Sequence, residues 1–254
     1  MEKTFVKKEI WFHRGDLKIY SRCYLPAGEG PFPTVIMCHG FLGSSADKVD
    51  CAQRYAEAGF AACAFDFCGG SPQTRSDGQT TEMSVMTEVE DLLAVFEQLK
   101  GHDFVKQDSM YLWGESQGGM VAALAAARLT NRIKGLILFY PALMIPDLGR
   151  AQAGVLENVT DTVLWDVPIG RCYIADVWDL DPFAEIRKYE GPVFICHGTA
   201  DDIVPIRYSE RARDTYKNSE YMVVEGGGHG FTIDVRENVD KKIIGFLRRA
   251  EDDD

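Results

Sequence analysis

Two runs near the start of the chain, around Lys8–Phe12 and Leu17–Tyr24, alternate bulky apolar and polar side chains on either side of "RGD". A period of two turns one face to a core and the other to water, so the pair is expected as edge strands, antiparallel and joined by a turn. The pattern then changes. Short runs that are apolar throughout alternate with longer stretches of helical period: "TVIMCHG" then "DKVDCAQRYAEAG", "FAACAFDF" then "MTEVEDLLAVFEQLK", "SMYLWGE" then "QGGMVAALAAARL", and "IKGLILFY". After a break come "PVFICHG" with "IRYSERARDTY", and "EYMVVEG" with "RENVDKKIIGFLRRA". Strands without alternation are buried on both faces, and the helices between them supply the cover. The chain therefore predicts an α/β fold with a mostly parallel sheet of eight strands flanked by helices.

The break covers 141–181, between the sixth and seventh strands. It has weak periodicity and holds Pro146, Pro168, Gly149, Gly154 and Gly170. Insertions of this length between core strands are usually functional when they are ordered. Trp165, Tyr173 and Trp178 argue for order here. The expected organisation is a core of 1–140 and 182–254 with 141–181 as a cap, or lid, over the active site. The closing "EDDD" reads as a solvated tail.

Charge narrows the range of partners. The 39 acidic and 27 basic side chains of the 254 residues leave a net charge of -12. Nucleic acid and anionic membrane surfaces both need clustered cations, so neither is an expected partner. No run of 18 apolar residues and no apolar leader core appears, which predicts a cytoplasmic protein. The seven cysteines contain no CxxC pair and several sit in strand-like runs, so they read as reduced core residues. Neither a metal-ligand spacing nor a dinucleotide or phosphate loop is present, and no cofactor is expected.

Ligands of open parallel sheets sit at the carboxyl ends of the strands. The residues there are "HGFLGS", "GESQGG", "HGTADDIVP" and "GGGHGF", which carry three of the five histidines. Ser116 lies between Gly114 and Gly118, at a strand-to-helix turn that needs close backbone approach on both sides. The same spacing fits a plain turn with a capping serine. A serine becomes a nucleophile only when a base takes its proton, and His229 is a side chain that can do so near neutral pH. Asp201 or Asp202 would orient that imidazole, unless the pair merely opens a helix. What decides for catalysis is agreement: serine, acid and histidine occur in that order, each after a different core strand, with "HGF" after an earlier one for an oxyanion donor. Ser116 is read as the nucleophile.

Taken together, these motifs resemble the α/β-hydrolase superfamily from Lys8 to Arg249. With "AFDFCGGS" and a cap between the sixth and seventh strands, they are similar to the feruloyl (cinnamoyl) esterases of gut bacteria. The resemblance implies a serine carboxylesterase with catalytic Ser116, Asp201 and His229, and Asp202 as a neighbour. It further implies backbone N–H groups of Phe41 and Gln117 as the oxyanion hole, Asp147 and Tyr173 hydrogen-bonding the phenolic hydroxyls of the substrate, and Trp165 as an aromatic wall. The seven acids and two arginines of the cap suit a neutral aromatic ester better than an anionic one. The expected partner is that small ester, and a homodimer is left open. Rival readings on the same fold are an aminopeptidase or acylpeptide hydrolase, an acylglycerol lipase, and an inert binding scaffold.

Overall fold

The computed structural model describes residues 5–252, so Asp253 and Asp254 of the acidic tail lie outside it. Strands β1 (Phe5–Arg14) and β2 (Leu17–Pro26) form an antiparallel hairpin. Strands β3 (Phe32–Cys38), helix α1 (Val49–Glu57), β4 (Ala61–Phe65), α2 (Val85–Leu99), β5 (Val105–Glu115), α3 (Ser116–Leu129) and β6 (Gly135–Phe139) follow. The eight-stranded sheet is completed by β9 (Val193–Gly198) and β10 (Ser219–Val224), with α7 (Arg207–Thr215) between them and α8 (Ile233–Asp252) at the end. Its order is β1-β2-β4-β3-β5-β6-β9-β10. β2 runs antiparallel to both its neighbours, and every other pair is parallel.

The continuous apolar runs have the predicted cause. Ile36, Leu112 and Leu138 enter the core layer beneath α2 and α3, while Val35, Trp113 and Phe139 enter the opposite layer beneath α1 and α8. Both faces of the central strands are therefore covered, and their backbone carries few polar side chains. Helix α3 is apolar around nearly its whole circumference because it sits between the sheet and α2. Ser84 caps α2 in a reciprocal pair with Thr87. The same hydroxyl reaches Asp176 at 2.6 Å, tying the helix start to the segment after β6.

That segment is not irregular. It forms α4 (Ile145–Ala153), a two-stranded hairpin of β7 (Thr162–Leu164) and β8 (Val167–Ile169), and the short α5 (Cys172–Ala175), before α6 (Pro182–Ile186) returns to the core. The hairpin turn places Trp165 and Asp166 at φ of 48° and 63°. Two left-handed residues give the turn twist that matches paired strands, although neither is the usual Asn or Gly. All seven cysteines are unpaired, and all but Cys172 are buried. No helix among the described residues is long and apolar enough to cross a membrane.

Candidate active site

Ser116 is the first residue of α3, directly after β5, with φ of 53°. A left-handed residue at this junction lifts its side chain out of the sheet. The two flanking glycines make the turn possible. A Cβ on Gly114 would stand 2.1 Å from the Gly118 carbonyl oxygen, and one on Gly118 would stand 2.2 Å from the His39 carbonyl oxygen. Any side chain there would collide with backbone.

His229 meets the serine from the loop after β10. Its Nε2 lies 3.1 Å from Ser116 Oγ, and its Nδ1 lies 2.9 Å from Asp201 Oδ2. The Asp201 side chain is fully buried and also accepts from the backbone N–H of Ile203 and Val204 at 2.9 and 2.8 Å. Those bonds fix the carboxylate, which in turn fixes Nδ1–H as a donor and leaves Nε2 free to accept from the serine. Tyr140 braces the ring from below at 4.7 Å, and Phe231 packs on Tyr140 at 5.4 Å. Asp202 is exposed at the cavity mouth and does not reach the imidazole.

The other two strand-end histidines are scaffolding. His39 is buried, with Nδ1 donating to Gly40 O at 2.8 Å and Nε2 accepting from Phe67 N–H at 3.2 Å. His197 pairs with Ser209 Oγ at 2.6 Å and Val204 O at 2.9 Å, and its Nε2 stands 3.2 Å from Asp201. Burial lowers the pKa of both rings, which keeps them neutral and holds the loops that carry Phe41 and Asp201.

Phe41, Gln117, Trp165 and Tyr173 border one cavity of about 610 Å³ together with Ser116 and His229. Phe41 is the centre of an aromatic group, with Trp165 at 5.5 Å and Tyr173 at 5.4 Å. Gly40 brings the Phe41 loop against Ser116, since a Cβ there would stand 3.3 Å from Ser116 Cβ. Ile145, Leu148, Leu164 and Ile174 complete an apolar wall. The Gln117 side chain runs inward, donating to Glu88 Oε2 at 2.8 Å and accepting from the Tyr173 hydroxyl at 2.7 Å.

Asp147 departs from the expectation. Ile145 and Leu148 face the cavity, and a helix turns about 100° per residue, so Asp147 points elsewhere. It lines a separate depression, where its carboxylate binds Arg150 at 2.6 Å and the Tyr208 hydroxyl at 2.9 Å. Those two partners hold its pKa below the usual range against a desolvation that raises it. It is not available to a substrate beside Ser116.

Several residues of the site escape sequence reasoning. Glu115 precedes Ser116 and borders the cavity, where it binds Lys48, Arg236 at 3.4 Å and the Tyr140 hydroxyl at 3.5 Å. Burial alone would raise its pKa, but Lys48 and Arg236 pull it down to about 2. Arg236 also lies over the Phe139 ring at 4.2 Å. The signal for Glu115 was its place inside "GESQGG"; Lys48 and Arg236 gave none.

Comparison with known proteins yields a consistent set of matches. Residues 29–171 match the family described as "Serine aminopeptidase, S33", and residues 164–254 match one described as "TAP-like protein". The uncharacterized 31.7 kDa protein in the traX-finO intergenic region of Escherichia coli is 32% identical over 114 residues, or 44% of this chain. This chain spans only 38% of that relative's length. The quorum-quenching protein AidA of Acinetobacter baumannii is 27% identical, with 95% of this chain and 94% of that protein covered. Among solved structures, Est1E from Butyrivibrio proteoclasticus with ferulic acid bound superposes with a TM-score of 0.86 at 28% identity, covering 95% of this chain and 98% of that one.

Proposed function

The chain belongs to the serine aminopeptidase family and is a hydrolase of the α/β-hydrolase fold, and on that premise we propose that it is a serine carboxylesterase that cleaves hydroxycinnamate esters of the feruloyl type. The observation that carries this reading is the hydrogen-bonded run from Asp201 through His229 to Ser116, at 2.9 and 3.1 Å, opening onto a cavity walled by Phe41, Trp165 and Tyr173. The likeness to a structure that holds ferulic acid supports the aromatic acyl group.

In the proposed reaction, His229 Nε2 takes the Ser116 proton as Oγ attacks the ester carbonyl, and Asp201 stabilises the imidazolium. The oxyanion is met by the backbone N–H groups of Gln117 and Phe41. The first N–H groups of a helix have no partner within it, so Gln117, second in α3, has one to offer. His229 then protonates the leaving alcohol, and water repeats the cycle on the acyl-enzyme. The segment 141–181 acts as the cap: Trp165 and Tyr173 form the aromatic side of the acyl pocket.

Release of ferulic acid from methyl ferulate, with p-nitrophenyl butyrate alongside, tests the reading. Ser116→Ala is expected to abolish turnover of both, on the order of a million-fold as in comparable triads. Near-normal activity in that variant ends the triad assignment. Hydrolysis of the butyrate alone ends the feruloyl assignment and keeps the hydrolase.

One observation favours an aminopeptidase as the second reading. The cavity has carboxylates but no lysine or arginine among its described lining, and Asp202 is exposed there. A free amine would find an acceptor at Asp202, whereas Glu115 and Asp47 are already engaged by Lys48 and by the Ser44 N–H. Turnover of amino-acyl p-nitroanilides well above that of methyl ferulate would establish it.

A further inference from the structure

Glu88 has no task in acyl transfer, yet it is 1% exposed on α2 with its carboxyl against the site. Its Oε2 accepts from Gln117 Nε2 at 2.8 Å, and Met83 Sδ lies 3.6 Å from the same nitrogen. A thioether has no hydrogen to give, and Oε2 acts as an acceptor, so both neighbours select the NH₂ end of the amide. The amide oxygen is thereby turned to Tyr173, whose hydroxyl donates to it at 2.7 Å. A tyrosine hydroxyl carries a single hydrogen. With that hydrogen committed to Gln117, the oxygen has only lone pairs left for the cavity that Tyr173 borders.

We infer that Glu88 is a positioning residue that sets, through Gln117, the hydrogen-bond polarity of Tyr173, so that the acyl pocket accepts a hydrogen bond from a free phenolic hydroxyl and discriminates against a ring bearing only an ether there. The inference rests on the feruloyl reading and deepens it. Burial raises the Glu88 carboxyl well above its ordinary pKa, the Asp91 charge adds to this, and the Gln117 bond opposes both. The carboxylate, or a neutral carboxyl with its proton on Oε1, presents Oε2 as the acceptor that Gln117 Nε2 meets. Burial likewise raises the Tyr173 hydroxyl, with Glu88 adding, so it stays a donor throughout the neutral range.

The test compares kcat/KM for methyl 4-hydroxycinnamate and methyl 4-methoxycinnamate, which differ in that one donor. The wild type is expected to prefer the hydroxy ester by about tenfold or more, the scale of one hydrogen bond lost with its partner left facing an ether oxygen. Tyr173→Phe and Glu88→Leu should each bring the ratio near unity, and the double variant should bring no further change. Glu88→Gln, whose amide oxygen can still accept from Gln117, should restore the preference, which a purely structural role for the carboxyl does not predict. Glu88→Met takes the place of Glu88→Leu if the latter does not fold. A wild-type preference for the methoxy ester overturns the inference, as does a ratio unmoved in the Glu88 or Tyr173 variants. Butyrate hydrolysis with neither cinnamate cleaved overturns the feruloyl reading and this inference with it, whereas cinnamate hydrolysis with an unmoved ratio overturns this inference alone.

Discussion

Glu115→Gln removes the charge beside Ser116 while keeping its shape. The wild-type carboxylate sits among Lys48 and Arg236, whose side chains are 6% and 14% exposed, so the replacement takes one carboxylate from two nearly buried cations, of which Arg236 keeps Asp240 at 3.6 Å. Desolvation favours the neutral acid, but Lys48 and Arg236 win and take its pKa from 4.5 to about 2. A folded-state pKa below the unfolded one stabilises the fold above pH 4.5 and loses that contribution as pH falls toward 2. At about 1.36 kcal/mol per pKa unit the full contribution is about 3 kcal/mol, of which about 2 kcal/mol is lost between about pH 5 and pH 3. Urea unfolding of wild type and variant, followed by circular dichroism at those two pH values, reads the difference. The wild type should be the more stable at the higher pH, and the gap should narrow by about 2 kcal/mol at the lower. A gap that stays constant or widens on acidification refutes the claim that Glu115 is held ionised by its two cations.

Two further perturbations probe the geometry around Ser116. Gly118→Ala would press a Cβ to 2.2 Å from the His39 carbonyl oxygen, and rigid backbone cannot yield cheaply; the expected loss is about 1–3 kcal/mol in stability, with kcat for p-nitrophenyl butyrate down about a hundredfold as Ser116 shifts from His229. Trp165→Asn places a residue that tolerates positive φ at a position with φ of 48°. The relief of about 1 kcal/mol and the lost contact with Phe41 nearly cancel in thermal unfolding, while KM for methyl ferulate rises about fivefold with kcat little changed.

What could be read from the chain alone was whatever depends on order along it. The apolar runs "TVIMC" and "VFIC" announced strands because they are short and apolar throughout, as burial on both faces requires, with longer helical stretches between them. Ser116, Asp201 and His229 were legible for a related reason: each follows such a run, so its place at the carboxyl edge comes with the strand. The β7–β8 hairpin lacked that advantage. Its strands have three residues each, Pro168 interrupts one, and its turn is Trp-Asp where a search looks for Asn-Gly. Asp147 was misplaced for want of a helix phase: within "IPDLGR" the motif identifies the segment, but only the rotation of α4 shows that Leu148 faces the cavity and its neighbour does not.

The partners of the site belong to a third kind. Lys48 stands 67 positions from Glu115, Arg236 stands 121 from it, and Glu88 stands 29 from Gln117. No local pattern marks such pairs, because each is created by packing the turn before α1, helix α2 and helix α8 against the end of β5 and the start of α3. Their chemistry is constrained all the same. A carboxylate inside the strand-to-helix turn has to find cations, and a glutamine beneath an aromatic cavity has to find both an acceptor and a donor. On the proposed function, the strand ends supply the attack on an acyl carbon, while the long-range pairs set how the pocket is charged and which way its hydrogen bonds run. On the same proposals, reaction and selectivity are carried by different layers of this fold, so substitutions at Glu88 should change which ester is chosen through a route distinct from the one by which substitutions at Ser116 stop the reaction.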